Sequence, residues 1–117
     1  MFLGLRTVIY PSPDLAAAKS WYTALLGQEP YFDEPFYVGY NVGGYELGLD
    51  PNGDVAVGPI AYWGVANADD AYVQLLAAGA TEHSTVQDVG DGIRTATVRD
   101  AGGNVLGIIE NPHFKLP

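Results

Sequence analysis

Gly102-Gly103-Asn104-Val105-Leu106-Gly107 repeats, late in the chain, the pattern of Gly43-Gly44-Tyr45-Glu46-Leu47-Gly48. Each reads as a Gly-Gly turn followed by a short apolar strand. Upstream of each copy lies a second matched pair. Asp14-Leu-Ala-Ala-Ala…Ala24-Leu-Leu-Gly27 corresponds to Asn67-Ala-Asp-Asp-Ala…Leu76-Ala-Ala-Gly79. Both are Ala- and Leu-rich helix patterns that begin at an acidic or amide residue and stop at glycine. The same pairs recur in the same order, which points to an internal duplication.

The segments around these pairs complete each copy. Leu3–Tyr10 is apolar and β-branched enough for a strand, and Pro11-Ser12-Pro13-Asp14 stops it. Ser12 suits an N-cap, Pro13 the first helical position, and Asp14 the positive end of the helix dipole. Leu15, Ala18, Tyr22, Leu25 and Leu26 recur at helical spacing up to the capping Gly27. Tyr31–Phe32 begins a short extended segment, Phe36–Val42 reads as a strand, and Tyr45–Leu49 as another. Asp50-Pro51-Asn52-Gly53-Asp54 is the strongest break, so the modules are read as 1–53 and 54–117. In the second, Ile60–Val65 is a strand and Asn67 opens a helix running to Gly79. His83–Val86, Ile93–Arg99 and Val105–Glu110 supply the remaining extended segments. The predicted fold class is α+β, two tandem βαβββ modules with curved mixed sheets whose concave faces enclose a cavity.

Composition narrows the function. With 117 residues the chain holds about one domain. Apolar residues make up 48% and charged residues 16%, which excludes disorder. The net charge of −9 argues against nucleic acid, whose phosphates require clustered Lys and Arg, and permits cationic ligands. The absence of cysteine removes disulfides, thiolate zinc sites and cysteine nucleophiles. No apolar run approaches the ~20 residues of a membrane span, and Met1-Phe-Leu-Gly-Leu-Arg6 lacks the form of a secretory signal. A cytoplasmic protein is expected, with no nucleic-acid or membrane partner.

Thr7-Val-Ile-Tyr-Pro-Ser-Pro-Asp-Leu15, Trp21-Tyr22…Leu25-Leu-Gly27, Leu75-Leu-Ala-Ala-Gly-Ala80 and Val98-Arg-Asp-Ala-Gly-Gly-Asn-Val-Leu-Gly-Ile-Ile-Glu-Asn-Pro112 together resemble the vicinal oxygen chelate superfamily of glyoxalase, bleomycin-resistance and dioxygenase proteins. Ala101 stands where the family's "D-P-x-G-N" turn usually has proline. The resemblance covers essentially the whole chain. It implies metal-ligand slots on the first and last strand of each module. Carried over, these fall on Thr7, on Glu46 or Gly48, on Ile60 and on Gly107. Ile and Gly side chains cannot coordinate, and a protein-held divalent metal normally needs about three good ligands. No metal and no other cofactor are therefore expected. The resemblance also implies a homodimer.

Glu46 is the candidate acid/base or cation-contacting residue. His83 and His113, the two histidines, occupy no ligand slot and are expected on the surface, His83 in the loop after the second helix. Tyr31, Phe32, Phe36, Tyr37, Tyr40, Tyr62 and Trp63 fall near the strands expected to line the cavity. Strand alternation splits them between stacking wall and core. Phe36 and Tyr37 must point opposite ways; with Ile60 facing inward, Tyr62 faces the cavity and Trp63 the helix. Arg94 is a lone cation on a cavity strand, suited to a carboxylate on a ligand or to a neighbouring acid. The expected ligand-binding set is Thr7, Ile9, Phe36, Tyr40, Glu46, Gly48, Ile60, Tyr62, Arg94 and Gly107. The function expected from the missing ligands, the aromatics and the acidic balance is metal-free binding of a cationic or planar aromatic small molecule, as in the family's drug-sequestering antibiotic-resistance proteins. The alternative is an enzyme of the same superfamily, a lyase, isomerase or dioxygenase-like protein, with Glu46 as acid/base.

Overall fold

A computed structural model describes residues 1–115. The order of elements is β1 (Gly4–Pro11), α1 (Leu15–Leu26), β2 (Phe32–Glu34), β3 (Tyr37–Val42), β4 (Tyr45–Asp50), β5 (Ile60–Gly64), α2 (Ala68–Ala77), β6 (Thr81–Gly90), β7 (Ile93–Arg99) and β8 (Val105–Glu110). That is βαβββ twice, the α+β class read from the duplicated segments. By backbone contacts the chain divides into two compact units. Thr7–Ile60 falls in one, and Met1–Arg6 joins Ala61–Lys115 in the other.

In the first module the strands lie in the order β2-β3-β4-β1. β1 runs parallel to β4, pairing Thr7 with Glu46 and Ile9 with Gly48. β3 is antiparallel to both β4 and β2. One face of this sheet packs on α1. Val38, Tyr40 and Leu49 are buried there, with Tyr10, Leu15, Ala18, Tyr22, Leu26 and Leu47 against them. Alternation then turns Thr7, Ile9, Tyr37, Gly39, Glu46 and Gly48 to the opposite face. The helix begins two residues later than expected, at Leu15 rather than Pro13. Asp14 is its N-cap and accepts from the Ala17 N–H at 3.1 Å, while the Ser12 hydroxyl donates to the Tyr10 carbonyl. Pro13 thus lies outside the helix, and the acid caps it directly. Gly27, with φ of 67°, ends it in the left-handed conformation that glycine adopts without penalty.

The second module repeats the arrangement as β6-β7-β8-β5. β5 is parallel to β8, pairing Tyr62 with Gly107, and β7 is antiparallel to β8 and β6. Asn67 caps α2 by accepting from the Asp70 N–H at 2.9 Å, and Glu110 accepts from the Ala68 N–H at 2.8 Å. These bonds satisfy donors that every helix N-terminus leaves open. Ala68, Ala71, Tyr72 and Leu75 of α2 bury against Ala96, Val98 and Ile108. Tyr62, Thr95, Thr97 and Gly107 therefore lie on the face turned away from α2. The N-terminal arm is part of this unit. Phe2 stacks on Trp63 with centroids 4.9 Å apart, and the Leu3 N–H donates to the Gly64 carbonyl at 2.8 Å. Arg6 fills the space a side chain on Gly64 would need, and its guanidinium lies 3.9 Å over the Phe114 ring. Among the described residues no helix is long and apolar enough to cross a membrane.

Candidate functional site

The face of the first module turned away from α1 gathers its polar chemistry on one carboxylate. Glu46 projects from β4. The Thr7 hydroxyl, on the paired position of β1, donates to its Oε1 at 3.1 Å. The Tyr37 hydroxyl, from β3, donates to the same oxygen at 2.9 Å. The Tyr31 hydroxyl, from the residue before β2, donates to Oε2. Thus three hydroxyls from three segments converge on one side chain.

Two glycines make the convergence possible. A Cβ on Gly48 would lie 1.9 Å from the Tyr37 hydroxyl oxygen and 2.6 Å from the ring carbon bearing it. A Cβ on Gly39 would lie 2.8 Å from Glu46 Oε2 and 3.1 Å from the Tyr31 ring. Both phenols therefore cross the sheet over backbone rather than over side chains. Tyr31 is 63% exposed as a residue while its hydroxyl end is tucked against Glu46. Burial of that end, and then the bond to Glu46, raise its pKa above the ordinary tyrosine value, so the phenol stays protonated as a donor. Phe32 lies beside this group, its ring 6.1 Å from that of Tyr37 and 5.9 Å from that of Phe36.

The residues at the family's ligand slots do not fit a metal. Thr7 and Glu46 are bonded to one another, and both Glu46 oxygens already accept from hydroxyls. Gly48 and Gly107 offer no donor atom, and tyrosine rings stand over both: a Cβ on Gly107 would lie 2.3 Å from the Tyr62 ring. Ile60 offers only hydrocarbon. Among the described residues no group of three or more His, Cys, Asp or Glu is placed to hold a metal ion.

Of the residues singled out from sequence, Thr7, Ile9, Glu46 and Gly48 share one face, and Tyr62 and Gly107 meet on the other module. Three are placed elsewhere. Tyr40 is fully buried against α1, its hydroxyl bonded to Thr23 Oγ1 at 2.7 Å and to the Lys19 carbonyl at 3.0 Å. It is a core residue because β3 pairs Tyr40 with Leu47, which also packs on α1. Phe36 precedes β3 and is 61% exposed, touching Phe32 rather than Glu46. Arg94 shares the α2 side of β7 with Ala96 and Val98, and its guanidinium is paired with both oxygens of Asp69 in the first turn of α2. That local acid takes the place of a ligand carboxylate. Tyr31 and Tyr37, expected only among the aromatics near the cavity, join the Glu46 group, and Gly39 was missed. For Tyr37 the signal is its two-residue spacing to Gly39, on the same side of β3. His83 lies within β6, not in a loop, and the His113 Nε2–H donates to the Asp91 carbonyl at 2.9 Å.

The family model described as Glyoxalase/Bleomycin resistance protein/Dioxygenase superfamily matches residues 4–108. No curated protein sequence matches the chain. Among solved structures, a glyoxalase/bleomycin resistance protein/dioxygenase superfamily member from Vibrio splendidus 12B01 is 17% identical, with TM-score 0.65 over 91% of this chain and 97% of that one. Methylmalonyl-CoA epimerase from Streptomyces coelicolor is 16% identical, with TM-score 0.75 over 100% of both chains. Methylmalonyl-CoA epimerase from Mycobacterium tuberculosis is 21% identical, with TM-score 0.70 over 93% of this chain and 88% of that one. At these identities the likeness is one of fold.

Proposed function

We propose a function from one premise: the chain belongs to the glyoxalase/bleomycin resistance protein/dioxygenase superfamily. Within it, this protein binds a small cationic, planar aromatic molecule at Glu46, without a metal or other cofactor. The observation that carries the reading is the convergence of Thr7, Tyr31 and Tyr37 on the Glu46 carboxylate. A carboxylate offers about four acceptor sites. Hydroxyls fill three, which fixes the group in place and leaves one for an N–H of a ligand. Exposed Tyr31 and Phe32 supply rings for stacking beside it. The net charge of −9 concentrates cations near the surface. Sequestration of a drug-like cation by a cytoplasmic homodimer belongs to the same proposal.

The arrangement suits an acceptor better than a general base. The two Glu46 oxygens already accept from three hydroxyls. A second reading is favoured by one specific feature, the phenol–carboxylate pair of Tyr31 and Glu46. In it the pair moves a proton next to a carbonyl, as an isomerase or lyase does. The structural likeness to methylmalonyl-CoA epimerases supports keeping this reading.

The test uses 9-aminoacridine as probe and 9-anthracenecarboxylate as its anionic counterpart. The cation should raise the melting temperature saturably and the anion should not. Glu46→Gln should weaken binding by tenfold or more while the circular dichroism spectrum is unchanged. Equal binding by the variant, or preference for the anion, refutes the reading. Deuterium uptake next to the carbonyl of a CoA thioester in heavy water, abolished by Glu46→Gln, would establish the enzyme instead.

A further inference from the structure

The duplication carries more than the fold. Register aligns the two modules residue by residue. Gly39 pairs with Gly48 in the first, and Thr97 pairs with Gly107 in the second. Phe32 pairs with Gly39, and Ser84 pairs with Thr97. The residue before Phe32 is Tyr31, and the residue before Ser84 is His83. So His83 stands in the second module where Tyr31 stands in the first, and Thr97 stands where Gly39 does.

Both leading residues escape strand alternation, each by a local irregularity. Tyr31 precedes β2, and its backbone N–H donates to the Gly39 carbonyl at 2.9 Å. His83 is the extra residue of a β-bulge, since Glu82 faces Val98 and Ser84 faces Thr97, consecutive positions of β7. A bulge re-aims a side chain, and bulges are over-represented beside functional sites. Here it turns the imidazole onto the face of Thr97, whose hydroxyl lies 2.8 Å from Nδ1. At the position of Gly39 the Tyr31 ring passes over bare backbone to a carboxylate. At the same position in the second module the buried Thr97 side chain stops the imidazole. No acid follows, because Val105 stands where Glu46 would.

We propose that His83, oriented by Thr97, forms a second ligand site on the second module, one that recognises a carbonyl or carboxylate oxygen. Thr97 is a positioning residue that engages Nδ1. The other ring nitrogen, Nε2, makes no hydrogen bond among the described residues, and His83 is exposed. With the Thr97 hydroxyl donating to Nδ1, the ring proton sits on Nε2 and offers a donor, the reverse of the acceptor that Glu46 presents. The site does not depend on the reading of Glu46.

The chain holds two histidines, so each can be followed separately by nitrogen-15 NMR of the full-length protein. Acetate and acetamide are the probes, one for a carboxylate and one for a neutral carbonyl. The His83 ring resonances should shift saturably with at least one probe, and those of His113 should not. A response to acetate alone assigns carboxylates, and a response to acetamide assigns carbonyls. Thr97→Val should weaken the response about fivefold, the loss of one orienting hydrogen bond. Thr97→Ser should restore it, which a merely structural role for the position does not require. Glu46→Gln and His113→Gln should leave it unchanged. The proposal is overturned by no shift, by linear and equal shifts at both histidines, by a Thr97→Val response equal to wild type, or by loss of the response in Glu46→Gln.

Discussion

Gly48 is the position where the Glu46 cluster can be disturbed without altering any polar group. Gly48→Ala places a methyl carbon 1.9 Å from the Tyr37 hydroxyl oxygen, where ordinary contact begins at 3.4 Å. The phenol must retreat by the difference, about 1.5 Å. Its 2.9 Å bond to Glu46 does not survive a move of that size. Gly48 is not among the glycines with positive φ, so the strand itself accepts alanine. The cost is therefore that of a hydrogen bond to a charged group, about 1.5–3 kcal/mol. Urea unfolding reads it as a lower midpoint with unchanged slope. The decisive measurement is a double-mutant cycle with Tyr37→Ala. Once the ring is gone the methyl has nothing to strike, and Gly48→Ala should then cost less than about 0.5 kcal/mol. An equal cost in both backgrounds, or no cost in wild type, would show that Tyr37 is not held over Gly48.

Three further outcomes are expected. Tyr31 has a raised pKa in the folded chain, so the contribution of its contact with Glu46 is complete below the ordinary tyrosine value of about 10 and is lost as pH rises above it; the phenol missing from a spectrophotometric titration of Tyr31→Phe should be one that ionises above that value. Asn67→Ala removes the cap of α2 and should cost about 1 kcal/mol by thermal or urea unfolding, since the Asp70 N–H loses its acceptor. Arg94→Leu breaks a partly exposed ion pair with Asp69 and should leave both the urea midpoint and 9-aminoacridine binding close to wild type.

The duplicated fold was legible because its punctuation is chemical. Gly27, Asn67 and the Gly-Gly turns fix where elements end, and alternation gives each strand two faces. Alternation does not say which face meets the helix. β3 carries tyrosine on both sides, and Tyr40, expected on the ligand side, lies against α1 because it pairs with Leu47. Tyr37 follows once the parity is known. Tyr31 and His83 do not, because one precedes its strand and the other sits in a bulge, where the two-residue period fails. Arg94 found a partner on α2, 25 positions upstream, a pairing visible only after β7 and α2 pack.

The N-terminal arm has a consequence for how the chain comes to be folded. Phe2, Leu3 and Arg6 lean on Trp63, Gly64 and Phe114, so the arm finds its partners roughly sixty or more positions downstream. Joining Leu3 to Gly64 closes a loop of roughly sixty residues, an entropic debt of about 3–4 kcal/mol by loop-closure scaling. While the chain is being synthesised, the segment from Thr7 to Asp50 can collapse on itself with every strand of its sheet already at hand. The arm meanwhile trails from it with Met1, Phe2, Leu3 and Leu5 uncovered, until β5 emerges to receive them. Its docking is a late, long-range event, and shortening the arm should slow or weaken the half of the protein farthest from it along the chain.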